Sequence, residues 1–199
     1  MQTALRNYHT RTASITTEQV DLASPRRSEV EVFIRDVFAA HYGADVRSFA
    51  PNLMLLEQCD QKIAATGWRV AASGPLFLEC YLDDPIEQTL TQLAERPVLR
   101  SRIVEVGNLA AVKAGGSLQV ILALAAHLDR LGHEWVVFTA TQELIGIFTR
   151  LGLPLLALAK ADPSRLGAEA KAWGDYYATE PIVVAGRIRT AIERLGRAA

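Results

Sequence analysis

The sequence predicts an α/β protein of α+β character: a single domain with a mixed central sheet flanked by helices. Three observations predict it. Ile103 to Pro154 reads strand, Gly-Gly loop, apolar helix, strand, helix, in that order. A hairpin pattern precedes that block and two strand-like runs follow it. No repeat, low-complexity tract or linker divides the 199 residues, a length sufficient for one core of ordinary size.

Residues 1–23 are polar and Thr-rich, and read as a partly ordered arm or as an edge strand around Ala13 to Asp21. Residues 24–199 form the domain proper. Its first helix starts at Ser24-Pro25, serine as N-cap and proline in the first helical position, where a missing N–H costs nothing. Val30, Phe33, Ile34, Val37 and Phe38 then recur at helical spacing as one buried face, and Gly43 supplies the stop. LMLLEQ and IAATGWRVA flank a Cys59-Asp60-Gln61-Lys62 turn as a hairpin. PLFLECYL reads as a short strand or as a loop lining a pocket.

Asp84, Pro85 and Glu87 form a helix start, with Asp84 as cap; Ile86, Leu90 and Leu93 face inward and Pro97 closes the helix. IVEVGNLAA is a strand of β-branched type. SLQVILALAAHLDRL is apolar on nearly all sides, which predicts a helix buried over most of its circumference and ended by Gly132. WVVFTAT is a buried strand. Thr141 caps a helix whose inward face is Leu144, Ile147, Phe148 and Leu151, stopped by Gly152 and Pro154. LLALAKAD and PIVVAG are late strands, separated by a segment carrying Trp173, Tyr176 and Tyr177, and RIRTAIERLGR is an amphipathic tail helix.

Composition narrows the function classes. Half the chain is apolar (50%) and 22% is charged, which fits an ordinary globular protein. A net charge of -1 gives no reason to expect nucleic acid or an acidic membrane surface as partner. Cys59 and Cys80 lack metal-ligand spacing, and His9, His41, His127 and His133 are scattered, so no metal site and a reducing compartment are expected. The first residues hold no apolar signal core, and Leu118 to Leu128 falls short of the ~20 residues a spanning helix needs. A cytoplasmic location is expected, with membrane contact at most peripheral, through Arg187, Arg189, Arg194 and Arg197 of the tail.

Chemistry concentrates around Glu105, an acid inside an apolar strand. Such a carboxylate is costly to bury unless paired or protonated. It reads as a general base with a raised pKa, or as a structural ion pair with Arg100 or Arg102. Lys113, Gly115, Gly116 and Ser117 form a small-residue loop at a helix N-terminus, suited to cradling phosphate or serving simply as a strand-to-helix turn. Gly107 before Asn108 suggests a bulge that opens a slot beside WVVFTAT. Asn108 would then donate to a carbonyl in the slot, or pair with loop backbone. Thr139 reads as a slot residue, Glu79 and Tyr81 as acceptor-binding residues, and Trp173 with its tyrosines as an apolar wall or plain aromatic core.

EVFIRDVFAAHYGADV, SFAPNLMLLE, GPLFLECYLDDPIEQ, IVEVGNLAA, WVVFTAT, LGLPLLALAKADPSRLG and AWGDYYATEP, over roughly residues 26–186, resemble the thermostable hemolysin family. The element order is similar to the GNAT acyltransferase fold, including acyl-homoserine-lactone synthases and N-acyl amino acid synthases. That resemblance implies transfer of an acyl chain from a coenzyme A or acyl-carrier-protein thioester to a small amine or amino acid, with Glu105 and Asn108 catalytic. It implies that Lys113, Gly115, Gly116, Ser117 and Thr139 hold the donor. The family's name instead implies a membrane-lytic or lipid-binding protein, and a degenerate acyl-ligand-binding protein is a further alternative. The usual Arg/Gln-x-x-Gly-x-Gly/Ala grip departs here at Val112 and Ser117, and the usual tyrosine general acid is Phe148. Those departures imply a synthase-like variant or a carrier-protein donor.

Overall fold

The computed structural model describes residues 15–113 and 115–196. Twelve regular elements follow one another: β1 (Ile15–Val20), α1 (Arg27–Tyr42), β2 (Asn52–Gln58), β3 (Gln61–Val70), α2 (Ile86–Ala94), β4 (Ile103–Ala111), α3 (Gly116–Arg130), β5 (Trp135–Ala140), α4 (Gln142–Arg150), β6 (Leu156–Lys160), β7 (Ile182–Arg187) and α5 (Ile188–Gly196). The strands form one seven-stranded sheet in the order β1-β2-β3-β4-β5-β7-β6. The β4–β5 pair is parallel and all others are antiparallel, so the sheet is mixed, as expected. Of the N-terminal segment, β1 is an outer strand of the sheet; residues 1–14, and Arg197 of the tail, lie outside the described residues.

Strand periodicity sorts the core onto two faces. Leu53 and Leu55 of β2 pack with Val30, Ile34 and Val37 of α1, while Met54 and Leu56 pack with Val120, Leu124 and Leu128 of α3. Helices on both sides explain why LMLL is buried throughout rather than alternating. In β4, Ile103 and Glu105 face the α1 side, and Val104 and Val106 the α3 side. Beyond Asn108 the parity reverses, because Ala110 joins the α1 cluster and Ala111 the α3 cluster. The cause is a bulge: Asn108 has φ 50, and the β3–β4 register slips between Ala65 and Gly67.

Some sequence boundaries shift. The hairpin turn narrows to Cys59 and Asp60, both left-handed (φ 52 and 60), as a two-residue turn of the twist-matching type. Helix α1 begins at Arg27, because Ser24 spends its hydroxyl on the Arg26 N–H in a preceding turn. Asp84 does not cap α2: the Ile86 N–H donates to Glu79, and Glu87 pairs with Arg100 instead of reaching back. Leu93, placed on the inward face by its spacing, is half exposed in the last turn before left-handed Glu95. PLFLECYL is not a strand: it forms a 3-10 turn over Phe77–Tyr81, and Pro75, Leu76, Phe77 and Tyr81 line a cavity, as the pocket-lining alternative expects. In α3 only Gly116, Val120, Leu124 and Leu128 are fully buried. Of its other apolar side chains, Leu118, Ile121, Leu122 and Ala125 line a cavity.

Glu79 ties the Phe77–Tyr81 turn to its surroundings. Its carboxylate accepts from the N–H groups of Leu76 (2.8 Å) and Ile86 (3.0 Å) and pairs with Arg100 (2.6 Å). Burial pushes the Glu79 carboxyl up, but Arg100 and those two amides outweigh it and hold it at about 2. A depressed carboxyl stabilises the fold fully above its unfolded pKa near 4.5 and loses that contribution as pH falls through about 2. Acid unfolding followed by circular dichroism is therefore expected to lose this contribution between pH 4.5 and 2. Glu79→Gln is expected to flatten that part of the profile and cost about 1–3 kcal/mol at neutral pH.

Candidate functional site

The parallel ladder between β4 and β5 is short. It pairs Ile103 with Trp135, Val104 with Val136 and Glu105 with Val137, then stops. Beyond Glu105, β4 runs on with β3 while β5 runs on with β7, so the two strands diverge. The Asn108 bulge lies on the diverging part, where it adds local bend and twist to β4. A cavity of about 970 Å³ occupies the gap. Its walls come from both faces: Phe38, Tyr42, Phe77 and Trp173 on one, Leu118, Ile121, Leu144 and Phe148 on the other. The cavity therefore passes through the sheet at the divergence, and its size is that of a small-molecule site.

Glu105 stands at the point of divergence and lines the cavity while remaining 8% exposed. Oε2 accepts from the Phe77 N–H (3.0 Å) and Oε1 from the Leu78 N–H (2.8 Å), so the carboxylate caps the Phe77–Tyr81 turn. Burial pushes its pKa up; the two amides and Arg69 pull it only part of the way back. Neither sequence-expected partner pairs with it. Arg100 is consumed by Glu79, Glu87 and the carbonyls of Ala71 and Gly74, and Arg102 donates to the Gly132 carbonyl. The cation beside Glu105 is Arg69, its register neighbour on β3, with Nε 3.8 Å from Oε2.

The other expected residues divide between the cavity and the scaffold. Asn108 lines the cavity, but its side chain pairs with loop backbone: Oδ1 accepts from the Ala50 N–H (2.9 Å) and Nδ2 donates to the Ser48 carbonyl (3.3 Å). Lys113, Gly115, Ser117 and Thr139 line the cavity, Gly115 in the left-handed region (φ 81) just before α3. Gly116 does not; it is buried against β3, where a Cβ would come within 3.1 Å of the Ile63 carbonyl. Glu79 also lies off the cavity, beside a shallower depression near Arg100 and Glu87. Tyr81 and Trp173 do line it. Tyr81 hydrogen-bonds Tyr177 hydroxyl to hydroxyl, and Trp173 packs against Phe38, Phe77, Tyr176 and Tyr177. Burial raises all of these phenols, Tyr177 to about 12, so they stay protonated at neutral pH. Sequence reasoning missed Arg69 as a cavity residue, because the β3–β4 pairing that sets it opposite Glu105 joins strands distant in sequence and leaves no local signal. Among the described residues no three His, Cys, Asp or Glu side chains form a metal-holding group, and no helix is long and apolar enough to cross a membrane.

The family model described as thermostable hemolysin matches residues 20–192. The chain belongs to the thermostable hemolysin family. No curated protein matches it. Solved structures share its fold at low identity. The acyl-homoserine-lactone synthase LasI superposes with a TM-score of 0.62 at 13% identity, covering 90% of this chain and 95% of its own. FeeM, an N-acyl amino acid synthase from uncultured soil microbes, gives 0.64 at 10%, covering 93% and 96%. A putative N-acetyltransferase from Lactobacillus plantarum gives 0.52 at 14%, covering 88% and 99%. The architecture is thus the GNAT-like acyltransferase fold that the sequence resemblance implies. In this member of the thermostable hemolysin family, Phe148 packs at a tilt against Phe138 in the cavity wall, so that position offers an apolar surface rather than an acid.

Proposed function

We propose that this protein is an acyltransferase that moves an acyl group from a coenzyme A or acyl-carrier-protein thioester to a small amine or amino acid. The observation that carries the reading is the through-sheet cavity, with a buried carboxylate at its waist and a Lys/Gly/Ser loop at a helix N-terminus on its wall. Lys113 and the α3 N-terminus would meet donor phosphate. The apolar arm between α3 and α4 takes the apolar part of the donor, and the aromatic arm takes the acceptor. The acceptor nitrogen attacks the thioester carbonyl; a C–N bond forms and the C–S bond breaks. The nitrogen's proton passes to Glu105, directly or through water, and the thiolate leaves to be protonated by solvent. Backbone N–H groups on the unpaired edge of β4 would stabilise the oxyanion. Asn108 contributes by holding the bulge in place rather than through a free amide.

Turnover across a panel of acyl-CoA and acyl-carrier-protein donors with amine acceptors tests this reading. Thiol release coupled to amide formation is the expected result; no transfer from any donor to any acceptor would sink it. Lys113→Ala is expected to raise the donor KM about 3–10-fold with kcat nearly unchanged, the pattern of a lost ground-state phosphate contact.

A further inference from the structure

Arg69 is the cation that flanks Glu105 in the cavity. It lines the cavity beside Glu105, is 34% exposed, and makes one long hydrogen bond, Nη1 to the Pro75 carbonyl at 3.4 Å. Its contact with Glu105 runs through Nε at 3.8 Å, beyond hydrogen-bond range. Glu105 has already committed both oxygens to the Phe77 and Leu78 amides. The two groups thus sit side by side without neutralising each other through a close pair, one offering guanidinium donors and the other a carboxylate. A molecule carrying an amine and a carboxylate on one carbon complements that arrangement: its carboxylate meets the planar fork and its nitrogen meets Glu105. Around them the aromatic arm is walled by Tyr42, Phe77, Tyr81, Trp173, Tyr176 and Tyr177. Their hydroxyls are largely spent: Tyr81 and Tyr177 pair with each other, and Tyr176 donates to the Thr139 carbonyl at 3.4 Å. The arm therefore offers ring surface to a side chain.

We propose that Arg69 recognises the acceptor's carboxylate, so that the acceptor is an α-amino acid with a large apolar or aromatic side chain. The assignment rests on the acyl-transfer reading but is tested apart from it. The probes are two ligands of equal acyl chain, N-acyl-phenylalanine and the N-acyl amide of phenethylamine, which differ by one carboxylate. Titration calorimetry is expected to show the native protein binding the first about 30-fold or more tighter, a preference that Arg69→Gln abolishes and Arg69→Lys keeps in part. The same two amines offered as acceptors are expected to differ in KM in the same sense. Equal binding of the two ligands by the native protein, or binding of neither, overturns the assignment even if thioester turnover persists. A carboxylate preference lost in Arg69→Gln, in a protein that transfers to no amine, supports Arg69 and sinks the transfer reading instead. Unchanged thermal unfolding of Arg69→Gln separates loss of recognition from loss of fold.

Discussion

Glu105→Gln is expected to lower acyl-thioester turnover by about 10²–10⁴-fold, the range over which a positioned general base acts. The same carboxylate also caps the Phe77–Tyr81 turn through two amides, so glutamine has a structural cost. Its –NH₂ would face one of two N–H donors, leaving that donor unpaired, at about 1–3 kcal/mol. For a chain of this size that lowers the melting temperature by roughly 2–12 °C, which differential scanning calorimetry reads directly. The two roles separate in the pH profile of the native enzyme. A base must be ionised to act, and burial raises this carboxyl, so kcat/KM should rise with pH through a limb above the ordinary carboxylate range. Turnover that persists in Glu105→Gln while the melting temperature falls would leave Glu105 as a cap alone.

Gly107→Leu should abolish transfer without unfolding the protein. Gly107 lies two residues beyond Glu105 on the diverging part of β4 and lines the cavity. A Cβ built there meets no heavy atom within 4 Å, and its φ is not in the left-handed region. The leucine side chain therefore projects into the open cavity, where the proposed transfer would seat the thioester. Blocking that position is expected to lower turnover about 100-fold or more. Stability should hold or rise slightly, since a glycine inside a strand costs about 0.5–1 kcal/mol relative to alanine. Its register partner Gly67 provides the contrast. There a Cβ would come within 2.8 Å of the Ala50 Cβ and 2.9 Å of Leu53 Cδ2, so Gly67→Ala should cost about 1–3 kcal/mol. Thermal unfolding and turnover measured on both variants check the pair. Full activity in Gly107→Leu would mean that the reaction does not run through the divergence of β4 and β5.

Parts of this site were legible in the sequence because they rest on local rules. An acid between valines stands out against strand periodicity, and a glycine ahead of a polar residue in a strand marks a bulge, so Glu105 and Asn108 were visible. Which partners those side chains take was not visible, because the contacts are long-range. The ion pair with Arg100 or Arg102 failed because Arg100 is held by Glu79 and Glu87, thirteen to twenty-one residues away. Gly116 read as part of a phosphate cradle, yet the β3 backbone beneath it is what excludes a side chain. The helix over Gly116–Arg130 read as buried nearly all round; its apolar surplus faces a cavity, and hydrophobic pattern alone does not distinguish a packed wall from an open one.

By itself the sequence determined the order of the main helices and strands, a single α/β domain and the acid inside the β4 strand, since each follows from residue type and spacing along the chain; the mixed sheet came with the family resemblance. The tertiary structure alone decided three further things. It decided that β4 and β5 part after Glu105, that the gap between them opens through the sheet, and that Arg69 stands beside the carboxylate. The physical reason is the same for all three: each depends on where a strand's pairing stops and which strand lies next to it, and pairing between segments distant in sequence is set by the whole packed sheet.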